Sequence, residues 1–150
     1  MSSVPASPST RSLRGRTFVA RWTDRYGVFV HGDTAPPTED WSLIVGMWRE
    51  IADPKSFRVL VFSRGAAPNA VQRAELSKVL GGARPRVALL TTSLIPRIAG
   101  KAFSLFIPDF RVFAEGEADL AFNYLDLGSD RGRAERMLSE LREVSGTASR

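Results

Sequence analysis

A single histidine, His31, stands in the run His31-Gly32-Asp33, directly after a stretch of β-formers. Paired with Asp33 it could act as a general base, but a base needs a nucleophile to serve, and no G-x-S-x-G elbow supplies one. One histidine cannot build a histidine metal cluster. The chain has no cysteine, hence no thiolate ligand, no disulfide and no cysteine nucleophile. A structural hydrogen bond at the end of a strand is the simpler role for His31. Glu115, Glu117 and Asp119 are close enough in sequence to form a cation site, yet at a helix start the same acids complement the helix dipole, and the pattern favours that reading. Walker A and G-x-G-x-x-G turns are absent, so no metal or cofactor is expected and the chain reads as non-enzymatic. One polar set remains: Ser63, Arg64 and Asn69 after one strand, and Thr91, Thr92 and Ser93 after its neighbour. Loops and helix N-termini at strand carboxyl ends gather small ligands and anions, so these six residues form the candidate ligand set.

The elements that position them follow from hydrophobic period. Val87–Leu90 is an apolar run too short for a helix and bounded by Thr and Ser, as a central parallel strand buried on both faces reads. Phe57–Phe62 is a second such strand, and Arg111–Ala114 a third. Phe18–Trp22 and Tyr26–His31 read as a hairpin turning at Asp24–Arg25 and forming one edge of the sheet. Between strands lie helical stripes. Trp41, Ile44, Val45, Trp48 and Ile51 share one helix face, with Thr38 as the expected N-cap and Pro54 as the stop. The two tryptophans read as core rather than as ligand-stacking platforms. Asn69 caps a helix that carries Leu76, Val79 and Leu80 and leaves through Gly81-Gly82. Leu94–Phe106 is a helix whose apolar arc is wider than one sheet contact needs. Helices from about Gly116 to Leu127 and from Asp130 to Val144 complete the chain. Parallel neighbours cannot be joined by tight turns, so this order specifies an α/β fold: a layered, mostly parallel sheet with an N-terminal β-hairpin, crossover helices and an extra C-terminal helix. The expected organisation is a disordered tail over residues 1–15, an α/β domain over 16–127, an additional amphipathic helix over 128–145 and a frayed end over 146–150.

Charge narrows the partners. The 150 residues carry a net charge of +5. Lys78, Arg84, Arg86, Arg97 and Lys101 lie in a segment without acids, while Asp109, Glu115, Glu117, Asp119 and Asp126 follow with Arg111 as their only base. Two solvated faces of opposite sign are the plain reading; a surface for a charged partner or for a second copy is the sharper one. Within that surface Arg97, Lys101, Phe103 and Phe106 are the candidate partner-binding residues, two charges beside two large apolar anchors. Nucleic acid is disfavoured, because the aromatics sit at core spacing rather than between the arginines. No apolar run reaches the roughly 20 residues of a membrane span, and the N-terminus lacks the apolar stretch of a secretory signal, so a cytoplasmic location is the expectation.

Three stretches carry a family resemblance: the opening β-β pair, the strand-to-helix unit RVALLTTSLIPRIAGKAF, and the ending FRVFAEGEADLAFNYL. Over about Phe18 to Leu127 the chain resembles the STAS superfamily, the sulphate-transporter and anti-sigma-factor-antagonist domains, and within it the small single-domain STAS/SEC14-like, SpoIIAA-like bacterial branch. The resemblance implies a non-enzymatic protein-interaction or regulatory module, with a small-ligand or lipid-binding module around Ser63 and Thr91 as the alternative and a basic nucleic-acid binder as the second. The classical antagonists carry a phosphorylatable Ser or Thr where a crossover helix starts. The corresponding turn here, SRGAAPNA, offers alanines and proline there, with Ser63 as its only hydroxyl. If Val87–Leu90 is the central strand, Leu89→Ala lowers the unfolding free energy by about 2–5 kcal/mol in urea titrations; a loss under about 1 kcal/mol would place the strand elsewhere.

Overall fold

The strand Arg58–Ser63 (β4) presents Val59 and Val61 on one face and Leu60 and Phe62 on the other, so the chain must cover it on both sides. The computed structural model, which describes residues 10–92 and 109–148, meets that demand with a six-stranded sheet of simple order. β1 (Arg11–Arg14), β2 (Phe18–Trp22), β3 (Tyr26–His31), β4, β5 (Arg86–Thr91) and β6 (Phe110–Ala114) lie side by side in the sequence of the chain. The pairs β1–β2 and β2–β3 are antiparallel, and β3–β4, β4–β5 and β5–β6 are parallel. The sheet is therefore mostly parallel with an antiparallel N-terminal portion, as the hydrophobic pattern requires.

Four helices of the described residues cover it. α1 (Thr38–Glu50) and α2 (Ala70–Leu80) pack on the face of Phe29, Val59, Val87 and Leu89, bringing Trp41, Ile44, Trp48 and Leu76 into one core. α3 (Ala118–Leu125) and α4 (Arg131–Ala148) pack on the face of Val28, Val30, Leu60 and Leu90, bringing Phe122, Leu125, Met137 and Leu141 into the second. The C-terminal helix is thus no appendage: it lies across β2 and β3, tied by an Arg21–Glu140 ion pair of 3.1 Å. α3 is anchored by its C-terminal carbonyls. Arg58 Nη1 donates to Leu125 O and, at 3.3 Å, to Asp126 O, while Arg86 Nη1 donates to Tyr124 O at 3.0 Å. Two guanidiniums at the amino ends of adjacent strands so neutralise the negative end of that helix.

Several sequence expectations are corrected. Residues 1–15 read as a tail, but Arg11–Arg14 forms the edge strand, pairing Arg11 with Trp22 and Arg14 with Val19. Its Arg-Ser-Leu-Arg alternation buries Leu13 against the core, and Arg11 pairs with Asp24. The hairpin β2–β3 consequently lies inside the sheet rather than at its edge. Its turn is where expected, with Thr23 Oγ1 accepting from the Arg25 amide at 3.2 Å. Helix α1 takes Pro37, not Thr38, at its N-cap position, without a side-chain cap. Asn69 does cap α2, in a reciprocal capping box with Gln72, and Gly81 leaves it in the left-handed conformation at φ 56°.

The β1–β2 turn depends on one carboxylate from α1. Asp40 is 2 % exposed and accepts hydrogen bonds from the Arg16 amide at 3.0 Å, the Thr17 amide at 2.8 Å and the Thr17 hydroxyl. Gly15 makes this approach feasible, because a Cβ there would lie 2.4 Å from the Phe18 ring and 2.6 Å from Asp40 Oδ1. Burial pushes the Asp40 pKa up, but the Thr17 hydroxyl and the two amides outweigh it and hold the carboxyl below its ordinary value. A depressed carboxylate stabilises the fold above its unfolded pKa and stops doing so as pH falls through its folded one. Asp40→Asn should therefore lower stability at neutral pH by about 1–3 kcal/mol and flatten the loss of stability of the parent below pH ~4, both read from urea melts at stepped pH.

Candidate functional site

At the carboxyl ends of β3 and β4 the face carrying α1 and α2 is incompletely filled. A cavity of about 100 Å³ remains, lined by Phe29, His31, Trp41, Trp48, Val61 and Leu89 among others, with Pro36 and the Ala66–Pro68 loop at its rim. Local sequence explains its walls. The two tryptophans come from the α1 stripe at i and i+7, and Trp48 is fixed edge-on against Phe57 at 5.5 Å. The rim loops are tied together by backbone bonds: Arg64 N and Ala66 N both donate to Gly32 O, at 3.2 and 3.1 Å. Gln72 Nε2 adds a bond to Pro36 O at 2.9 Å. Gly65, at φ 133°, is the residue that lets the β4 exit turn over in this way.

Two of the residues lining this apolar space carry a buried ring nitrogen without a hydrogen-bond partner, His31 at Nδ1 and Trp41 at Nε1. The His31 ring stacks on Phe18 at 5.5 Å and on Phe29 at 6.4 Å. Burial lowers its pKa to about 4, against the opposing pull of Asp40, so the imidazole is neutral at pH 7. Neither sequence-based role for His31 is realised. The Asp33 carboxylate accepts from the Thr34 hydroxyl at 3.3 Å, and where a structural hydrogen bond was expected the buried Nδ1 has no partner. What places the histidine is ring stacking.

The candidate ligand set is only partly brought together. Ser63 and Thr91 are register partners at the ends of β4 and β5, and the Thr92 amide donates to Ser63 O at 3.3 Å. Ser63 lines the cavity, but its hydroxyl donates to Ala66 O at 2.7 Å and accepts from the Gly65 amide, which makes it a loop fastener. Asn69 is engaged in the α2 cap and Thr91 is 2 % exposed. Arg64 lines a separate polar cleft. Ser93 and the candidate partner-binding residues Arg97, Lys101, Phe103 and Phe106 lie outside the described residues. The acids are accounted for within the chain. Glu117 accepts from the Ala114 amide at 2.7 Å, Glu115 pairs with Arg142 at 2.7 Å, and Asp119 pairs with Arg131 at 3.3 Å. They staple α3 and its lead-in to α4, and the described residues hold no cluster of three His, Cys, Asp or Glu that suits a metal. Arg86, counted in the basic segment, is engaged with the end of α3. Among the described residues no helix is long and apolar enough to cross a membrane.

Sequence reasoning assigned Trp41 and Trp48 to the core, and they are buried there; it missed that the core around them is incompletely filled. The one available signal was a histidine ending a strand of otherwise apolar residues. Comparisons with protein-family models, with curated proteins and with solved structures found no match.

A neutral buried imidazole has a definite pH signature. Its folded pKa lies below the ordinary 6.5, so the unfolded chain takes up the proton first. Its contribution is complete above about pH 6.5 and declines as pH falls toward 4. His31→Phe keeps the ring stack and should remove the slope of stability between about pH 6.5 and 4.5; an unchanged slope in that window would assign it to another group.

Proposed function

We propose that this chain is a non-enzymatic regulatory module of STAS-like type that takes a small, mostly apolar ligand in the cavity beneath the β3 and β4 ends. The observation that carries the reading is the pairing of unfilled apolar volume with buried, unpartnered ring nitrogens. A buried polar atom without a partner costs free energy, and a ligand that supplies the complement recovers it. An apolar void of about 150 Å³ in another protein holds benzene, so a space of about 100 Å³ suits a single small ring or a short branched chain. Trp41 Nε1–H asks for an acceptor, and the neutral His31 Nδ1 accepts or donates according to tautomer. The preferred ligand is then one ring with one hydroxyl or carbonyl. Occupancy would stiffen the junction of α1, α2 and the strand exits, the kind of change a partner protein or a second copy can read.

Phenol is the probe. It should raise the melting temperature saturably and perturb the Trp41 and Trp48 indole resonances, with benzene acting at least about threefold more weakly for want of the hydroxyl. Val61→Phe fills the space and should abolish both effects in a folded protein. Saturable phenol binding that survives Val61→Phe, or none at all in the parent up to about 10 mM, overturns the reading.

A further inference from the structure

A second opening, polar and distinct in character from the cavity, lies at the same end of the sheet. Arg14 and Arg16 from the β1–β2 connection and Arg64 from the β4 exit line one cleft of about 470 Å³, with Thr17, Asp33 and Thr34 among its other walls. Seven arginines of the described residues are engaged within the chain: Arg11 with Asp24, Arg21 with Glu140, Arg25 with Asp130, Arg131 with Asp119 and Glu135, Arg142 with Glu115, and Arg58 and Arg86 with helix carbonyls. Among the described residues none of the three cleft guanidiniums has an ion-pair partner. The sequence withholds counter-charge here, since no acid precedes Asp24. Asp40, the carboxylate nearest this turn, already receives two amides and a hydroxyl. Asp33 is the one acid among the lining residues, and the Asp40 carboxylate behind the turn also acts on Arg16, which leaves three cations against two anions.

We infer that this cleft is an anion site for a phosphate-bearing ligand. Guanidiniums are planar forks that match phosphate oxygens two at a time, and several converging on one space favour a multiply charged group over a single carboxylate. The place fits, because ligands of parallel sheets collect outside strand carboxyl ends, and the loops leaving β3 and β4 both reach this cleft. Its breadth accommodates a diphosphate with room for an attached group, whether free in solution or carried on a lipid headgroup. The inference stands apart from the apolar-ligand proposal, using other residues and the opposite chemistry.

Sodium pyrophosphate titrated calorimetrically into the full chain at ~50 mM salt should bind at one saturable site that weakens as salt rises. Arg64→Gln, and separately the pair Arg14→Gln with Arg16→Gln, should each weaken binding by about tenfold or more. Lys55→Gln removes the same charge at the amino end of β4 and should change it by less than about twofold. Arg14 and Arg16 are exposed, so their pair decides the matter if Arg64→Gln unfolds. A parallel arm measures sedimentation with phosphatidylcholine vesicles with and without phosphatidic acid. Pyrophosphate binding assigns the site to free phosphates. Arginine-dependent binding to the acidic vesicles alone assigns it to a headgroup. No saturable binding to either probe, an equal loss in Lys55→Gln, or arginine-dependent binding of a single-stranded oligonucleotide that pyrophosphate does not displace overturns the inference.

Discussion

Every layer of this molecule answers to the double-sided apolarity of β3, β4 and β5. Val28, Val30, Leu60, Phe62, Ala88 and Leu90 on one face and Phe29, Val59, Val87 and Leu89 on the other all lie inside a core. Taking such strands out of water on both sides is worth roughly 25 cal/mol for each Å² of apolar surface. The parallel pairing of β3, β4 and β5 sends α1 and α2 over one face. The other face belongs to α3 and α4, which come late in the chain and must be brought back and held. Apolar packing of Phe122, Leu125, Met137 and Leu141 does most of the holding, and polar contacts set the alignment: Arg58 and Arg86 at the carbonyl end of α3, and Glu115 and Asp119 reaching to arginines of α4. The charges that look like a surface pattern in sequence are in good part these fasteners.

The same economy of contacts leaves two openings at the strand carboxyl ends. There the regular ladder gives way to loops, and loop geometry rather than side-chain period decides what is filled. In one, lined by His31, aromatic walls stop short of closing. In the other, lined by Phe18, a turn fixed by the buried Asp40 contributes two arginines and the β4 exit a third. Asp40 links the two. It pins the turn that presents Arg16, and its charge lies close enough to His31 to oppose the lowering of the imidazole pKa.

Much of this was legible in the sequence. Periodicity located β2 to β6, α1, α2, α3 and α4 within a residue or a few, because each has an apolar face that only one period satisfies. Turn chemistry located the Thr23–Arg25 reversal, the Asn69 cap and the Gly81 exit. β1 was hidden because four residues with one apolar side chain carry almost no periodic signal; what makes it a strand is pairing with β2 and a carboxylate from α1, both tertiary. The site was less legible for the same reason. Ser63, Asn69 and Thr91 have ligand-like types, but their partners lie in neighbouring loops, caps and strands. His31 read as a strand-end histidine with a structural hydrogen bond and is placed instead by two rings from β2 and β3.

The order of the strands has a consequence for how the chain is made. On a ribosome the six strands can pair in the order in which they emerge, each beside the last, and the α1–α2 face can close early. The opposite face of β2 and β3 waits for Ala134, Met137, Leu138 and Leu141, and one of its ties spans 119 residues of sequence. Through most of synthesis Val19, Val28 and Val30 are therefore bare, on a sheet otherwise ready to aggregate. The α4 helix acts as a latch whose arrival covers the open face of a sticky half-sandwich. Shortening it from its C-terminal end should be felt first in yield from cells, before any effect on a molecule that has already folded.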